Sequence, residues 1–134
     1  MVDIIEKDLC FKITGCCYKT HNKLGRFCSE RQYCDELEQQ FNSAGLQNIR
    51  EAEIRKLVPN APKGNRVDFI IEGKIPLDVK AKKLITKEDY FQMQRYLQAA
   101  DKKLGLIVNF RMTYIKPKRI ISSSFDSYHS HDNS

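Results

Sequence analysis

Two short, mostly apolar runs each carry an acid, Arg66-Val67-Asp68-Phe69-Ile70-Ile71 and Leu77-Asp78-Val79-Lys80-Ala81-Lys82. Asp68 and Asp78 are separated by a turn at Gly73, so two adjacent antiparallel strands can bring both carboxylates to one end of a sheet. Lys80 follows Asp78 by two residues, and strand alternation puts those two side chains on one face. Two acids and a lysine converging on one spot point to a metal site handling phosphate chemistry. The alternative is a half-exposed hairpin with ordinary surface charges.

The elements that must position these groups are readable in outline. Leu9–Lys23 reads as a helix, with Leu9, Ile13, Cys16 or Cys17, and Thr20 or Leu24 forming one apolar stripe before Gly25. Ser29 can cap a second helix running to about Ala44 and closed by Gly45. Its stripe is Tyr33, Leu37 and Phe41, with Glu30 in the first turn and turned towards the protein. Ile49–Val58 reads as a strand, followed by the turn cluster Pro59-Asn60-Ala61-Pro62-Lys63-Gly64-Asn65. Strands are expected over Arg66–Ile71 and Ile75–Lys80. Thr86 then opens a third helix, with Asp89 placed as the acid of a capping box. That helix should turn Tyr90, Met93, Leu97 and Ala100 inward. Leu104–Phe110 is a continuous apolar run, expected as a central strand covered on both faces. Ile115–Ile121, with Pro117, is expected at an edge. The order predicts one α+β domain over residues 1–121, with a mixed β-sheet flanked by helices. The Ser-, His- and Asp-rich segment 122–134 is expected to be a disordered tail, and its His129 and His131 make a poor metal cage.

Composition narrows the function. The chain has 134 residues, 23 Lys and Arg against 17 Asp and Glu, and a formal charge of +6. That balance favours polyanionic partners. No acid occurs between Lys102 and Ile121, while Lys102, Lys103, Arg111, Lys116, Lys118 and Arg119 do. This stretch is either a phosphate-binding surface or a solvated basic edge. No run is long and apolar enough to span a membrane. The mixed, acidic start of the chain is unlike a secretory signal. A cytoplasmic location is expected, or a nuclear one if the host is eukaryotic. The five cysteines, Cys10, Cys16, Cys17, Cys28 and Cys34, form no Cys-x-x-Cys pair. They are expected as small buried hydrophobes rather than disulfides or a metal cluster.

Taken in order, Glu30, Asp68, Asp78, Lys80, Gln92 and Tyr96 resemble the motifs of the PD-(D/E)XK nuclease superfamily, in its RecB-like branch. The segments Glu30-Arg31-Gln32-Tyr33, Arg66-Val67-Asp68, Asp78-Val79-Lys80-Ala81, Gln92-Met93-Gln94-Arg95-Tyr96-Leu97 and Gly105-Leu106-Ile107-Val108-Asn109-Phe110 narrow the resemblance to its small GxxExxY family. It covers roughly residues 5 to 121. One departure stands out, since Phe27 occupies the place of the family's glycine three residues before the glutamate. The resemblance implies a restriction-endonuclease-like core.

Phosphodiester hydrolysis needs neutralised phosphate charge and a deprotonated water aimed at phosphorus. Mg²⁺, with Mn²⁺ as a substitute, is the expected cofactor. Asp68 and Asp78 are the expected principal ligands, and Glu30 a ligand directly or through water. The resemblance adds the backbone carbonyl of Val79. Lys80 is expected either to activate the attacking water or to place a fixed charge on the transition state. Gln92 is expected to orient Lys80 or a phosphate. Tyr96 is expected either to pack or to contact the nucleic-acid backbone. Lys82, Arg111, Lys116, Lys118 and Arg119 complete the expected nucleic-acid surface. The function expected is a metal-dependent nuclease, on DNA more than RNA, with a homodimer left open. The alternatives are a catalytically inactive nucleic-acid- or partner-binding module that keeps the fold, and a redox or cluster protein built on the cysteines.

Overall fold

A computed structural model of the chain describes residues 6–53 and 66–125. Helix α1 spans Lys7–Leu24 and α2 spans Glu30–Ser43. Strands β1 (Asn48–Glu53), β2 (Arg66–Ile71) and β3 (Ile75–Lys80) follow. Helix α3 covers Lys87–Ala100, β4 Leu104–Asn109 and β5 Lys118–Ile121. The five strands form one sheet in the order β1-β2-β3-β4-β5, parallel only between β3 and β4 and antiparallel elsewhere. The fold is therefore α+β with a mixed sheet, as the residue pattern predicts.

Strand alternation divides the core between the two faces of that sheet. Phe69, Ile71, Leu77, Val79, Leu106 and Val108 pack against α1 and α2. Their neighbours Ile70 and Ile107 pack against Met93, Tyr96 and Leu97 of α3. All six residues of β4 are buried, as expected for a strand covered on both sides. The cysteines behave as expected: Cys10, Cys16, Cys17 and Cys34 are buried, Cys28 is half-buried, and all are free thiols.

Local chemistry sets the ends. Ser29 and Gln32 form a reciprocal capping box on α2, and Thr86 and Asp89 form one on α3. Between β2 and β3, Glu72 and Gly73 sit at φ 54° and 64°. The Lys74 N–H donates to the Ile71 carbonyl at 3.0 Å. Two successive left-handed residues make the tight hairpin turn whose twist matches the strands. That turn fixes the register of both acids.

β1 is described over Asn48–Glu53, and the expected continuation to Val58 with its turn cluster lies outside the described residues. Several other expectations need correction. Tyr90 is exposed, and Gln94 takes the inward place. Gln94 is satisfied there, donating to the Ile121 carbonyl at 2.7 Å and accepting from the Ser123 N–H at 2.9 Å. The start of the expected tail is thereby held: Ser122 is buried, and its N–H reaches the Lys103 carbonyl at 2.8 Å. His129 and His131 lie outside the described residues. Glu30, expected to turn inward, is exposed because the apolar stripe of α2 begins only at Tyr33.

Helix α3 and the sheet approach closely at Gly105, where a Cβ would meet the Met93 Sδ at 2.6 Å. Gly105→Ala should force Met93 aside and cost about 1–3 kcal/mol in urea unfolding. An unchanged midpoint would show that the contact is slack.

Candidate active site

The β2–β3 ladder pairs Ile71 with Ile75, Ile70 with Pro76 and Phe69 with Leu77. One further step in that register sets Asp68 opposite Asp78. Like charges placed directly opposite repel, and the strands part at this step. The Val79 N–H instead donates to Asp68 Oδ2 at 2.6 Å. Asp78 Oδ2 receives Lys80 Nζ at 2.8 Å on its own strand. Asp68, Asp78 and Lys80 thus converge at the C-terminal end of β3.

Their electrostatics follow from that crowding. Burial pushes the Asp68 carboxyl up to about 7, and the facing Asp78 adds a shared hydrogen bond and charge repulsion. Glu30 raises it further, while the Val79 N–H pulls the other way. Burial alone would lower the pKa of Lys80, but Asp78, Asp89 and Glu30 outweigh it and the net shift is upward. Lys80 is therefore held as an ammonium in this arrangement.

Two further residues complete the site, and neither has a site role in the sequence reading. Asp89, the capping acid of α3, is 7% exposed and lies 3.7 Å from Lys80 Nζ through Oδ1. Its Oδ2 pairs with Lys82 and accepts from Thr86 N at 2.8 Å. Burial would raise its pKa, yet Lys82, Thr86 and Lys80 hold it below the ordinary carboxylate range. Asn109 latches the segment after β3, accepting from Lys82 N at 3.1 Å and donating to the Lys82 carbonyl at 2.7 Å. The spacing of Asp89 with Gln92, Met93 and Tyr96, which follow it by three, four and seven residues and so share one helix face, was the available signal for the first. A polar residue closing an apolar strand was the signal for the second.

The other expected residues distribute unevenly. Glu30 borders, with Arg31, Cys34, Arg50 and Asp68, a cavity of about 500 Å³ beside the acids. Gln92 is half-buried on α3, one turn on from Asp89, and its side chain makes no hydrogen bond among the described residues. The Val79 side chain is core. Tyr96 is 0% exposed, and its hydroxyl lacks a hydrogen-bond partner among the described residues. As placed it packs between α3 and the sheet, the first of the two roles expected for it, and it offers no surface for a nucleic-acid contact in this arrangement. Lys82 is occupied by Asp89. Arg111 donates Nε to the Arg26 carbonyl at 2.8 Å, and Lys116 is exposed. In the sheet register Asp78 pairs with Ile107 and Ile107 with Lys118, so Lys118 lies on the Asp78 line two strands away. Arg119 alternates to the other face, near Cys10 and Phe11 of α1. The expected basic residues therefore do not make one continuous surface.

Could these residues hold a divalent ion? Among the described residues, no three acidic, histidine or cysteine side chains are already gathered in metal-holding geometry. Mg²⁺, however, takes one or two carboxylates and keeps several waters. Asp68 and Asp78 supply that hard oxygen pair, held close enough to share a proton. The donor set therefore fits a divalent cation.

Comparison with known proteins agrees with this geometry. The sequence pattern of the PD-(D/E)XK nuclease superfamily matches residues 7–121. The chain belongs to that superfamily. Neither a curated protein nor a solved structure matches it. PD-(D/E)XK nucleases generally use divalent metal ions. Membership also implies a nucleic-acid substrate. The mixed five-stranded sheet with its flanking helices is that of a restriction-endonuclease-like core. Among the described residues, no helix is long and apolar enough to cross a membrane.

A pH dependence follows from Asp68. Its folded pKa lies above its unfolded one, so its contribution to stability is full below about pH 4 and lost as pH rises through about 7. Asp68→Asn should remove that loss. In EDTA at pH 8 the variant should be more stable than the parent by on the order of 1–2 kcal/mol, and the gap should close at pH 4. Thermal unfolding that shows the same gap at both pH values would contradict this assignment.

Proposed function

We propose that this superfamily member is an active nuclease of the GxxExxY type that hydrolyses phosphodiester bonds of DNA with Mg²⁺, or Mn²⁺ in its place. The observation that carries the reading is the convergence of Asp68, Asp78 and Lys80 at the end of β3. A bound divalent ion supplies charge neutralisation at the phosphate and a more acidic water. Asp68 and Asp78 would hold it, with Glu30 on α2 and the Val79 carbonyl as further ligands. Releasing the proton that Asp68 carries readies the pair for a cation. Lys80 acts as a fixed positive charge on the non-bridging oxygens, in keeping with the ammonium that Asp78 and Asp89 sustain. Gln92 lies within one turn of Asp89, where it can orient Lys80 or a phosphate oxygen.

Asp78→Ala and Lys80→Ala should each lower plasmid cleavage in Mg²⁺ by about 100-fold or more. Undiminished cleavage in both would sink the reading. The exposed position of Glu30 and the lack, among the described residues, of a ready-made three-ligand cage favour one rival, a binding module that keeps the fold without catalysis. That rival wins if the parent protein retards DNA equally in EDTA and Mg²⁺ and cuts none.

The register also separates the basic residues. Lys118, on the line of Asp78, should touch phosphate, and Lys118→Ala should lower the slope of log affinity against log salt by about one unit. Arg119→Ala, on the opposite face, should leave the slope alone. Equal changes in both would remove the distinction.

A further inference from the structure

The segment joining α1 to α2 carries a large apolar ring in the open. Phe27 is 75% exposed and lies between two arginines. The Arg26 guanidinium sits over its ring at 4.8 Å from the centroid, and that of Arg111 at 5.8 Å. A single exposed phenylalanine is ordinary. A phenylalanine flanked by two guanidiniums, with most of its area still open, is a different surface. It offers stacking area together with positive charge, the combination that holds unpaired nucleotides.

The platform is built rather than loose. Arg26 Nη1 donates to Thr113 Oγ1 at 3.1 Å, and Arg111 Nε donates to the Arg26 carbonyl at 2.8 Å. His21 Nε2 meets the Met112 carbonyl at 2.9 Å. The loop carrying Phe27 is therefore tied at two points to the loop that follows β4, and α1 is tied to it at a third through His21. Tyr114, next after the Thr113 that Arg26 grips, is 89% exposed and adds a second open ring.

The platform is also anchored to the candidate active site. Phe110 N donates to the Lys80 carbonyl at 2.8 Å, and Arg111 is the next residue. Phe110 stacks on Tyr33 of α2 at 4.3 Å, and the Tyr33 hydroxyl donates to the Gly25 carbonyl at 2.6 Å. Glu30, three residues beyond Phe27, perturbs both Asp68 and Lys80. The ring and the acids thus occupy one end of the molecule, the end where β3 and β4 terminate together.

We propose that Phe27, with Arg26 and Arg111, is a stacking platform for an unpaired base, so that the favoured substrate is single-stranded or frayed nucleic acid rather than intact duplex. This rests on the nuclease reading for its substrate class but not for its test. Inside a duplex both faces of a base are covered by its neighbours, and only an unpaired nucleotide can present a face to Phe27. The arginines would then meet the phosphates on either side.

Binding in EDTA, where no cleavage occurs, tests the platform by itself. A labelled single-stranded oligonucleotide and a blunt duplex of the same sequence are titrated by fluorescence anisotropy. Phe27→Ala should weaken single-strand binding roughly five- to hundredfold and leave duplex binding within about twofold. Phe27→Trp should restore single-strand binding. The chain has no tryptophan of its own. The new indole should therefore report directly, its fluorescence quenched by the single strand and not by the duplex. Unchanged single-strand binding in Phe27→Ala would overturn the proposal, as would equal weakening on both substrates or an indole that is never quenched. Plasmid cleavage by the same variants in Mg²⁺ is a separate readout. No selective single-strand effect in Phe27→Ala and no quenching in Phe27→Trp, with cleavage by the parent intact, refutes the platform alone. Stacking intact with no cleavage by the parent refutes the nuclease reading alone.

Discussion

Two carboxylates facing each other across a strand pair, partly shielded from water, set the terms for the rest of this structure. Asp68 and Asp78 meet where the β2–β3 ladder ends, and their repulsion, added to their burial, must be offset by neighbours. One neighbour is the Val79 N–H, which leaves strand pairing to bond Asp68. Another is the Lys80 ammonium on Asp78. The third is a proton on Asp68 itself, held to about pH 7. The tight turn at Glu72 and Gly73 matters because it fixes the register. A slip of one residue would send one acid to the opposite face.

The compensation extends along a chain of alternating charge. Asp78 is paired with Lys80, Lys80 lies near Asp89, and Asp89 is paired with Lys82. With Asp68 protonated, two carboxylates and two ammonium groups balance. Asp89 therefore does two jobs at once, capping α3 through Thr86 and supporting the lysine of the site. The same acid fixes where α3 begins and where Lys80 rests, which ties the helix to the strand end electrostatically as well as by packing. Asn109 adds the backbone half of that link by clasping Lys82. Were Asp68 and Asp78 to hold a dication, as proposed, it would take the place of the proton on Asp68, and Lys80 would no longer be needed to neutralise a bare carboxylate. Metal binding would then be coupled to proton release.

Much of this was legible in the residues. Alternation within β2, β3 and β4 and the stripes of α1 and α2 predicted the layers, because burial on one face enforces the period. The acids and Lys80 were visible because charge inside an apolar strand is costly unless it has a purpose. Asp89 escaped because a capping box already explains an acid at that position, and only the tertiary approach of Lys80 reveals its second role. Tyr90 and Gln94 were exchanged for a related reason. Helical spacing defines a stripe only to within one residue, and the carbonyl of Ile121 offered Gln94 a partner that periodicity cannot see. Tyr96 shares the helix face of Gln92, yet spacing alone could not say how deep the helix would seat.

The entry to α2 shows how a local departure can be absorbed. The GxxExxY resemblance leads to the expectation of a glycine where Phe27 stands, and a glycine would ease the chain into the helix. Here the same task is shared among side chains. Tyr33 reaches back to hold both ends of the turn, donating to the Gly25 carbonyl at 2.6 Å and accepting from the Cys28 N–H at 3.2 Å. Ser29 and Gln32 then cap the helix reciprocally. The φ of 78° falls on Gly25, where no Cβ is strained. With the turn fixed by Tyr33 and the cap, Phe27 is under no backbone obligation to be small. Its ring is free to face outward beside Arg26 and Arg111, while the helix that follows still delivers Glu30 to the rim of the acid pair.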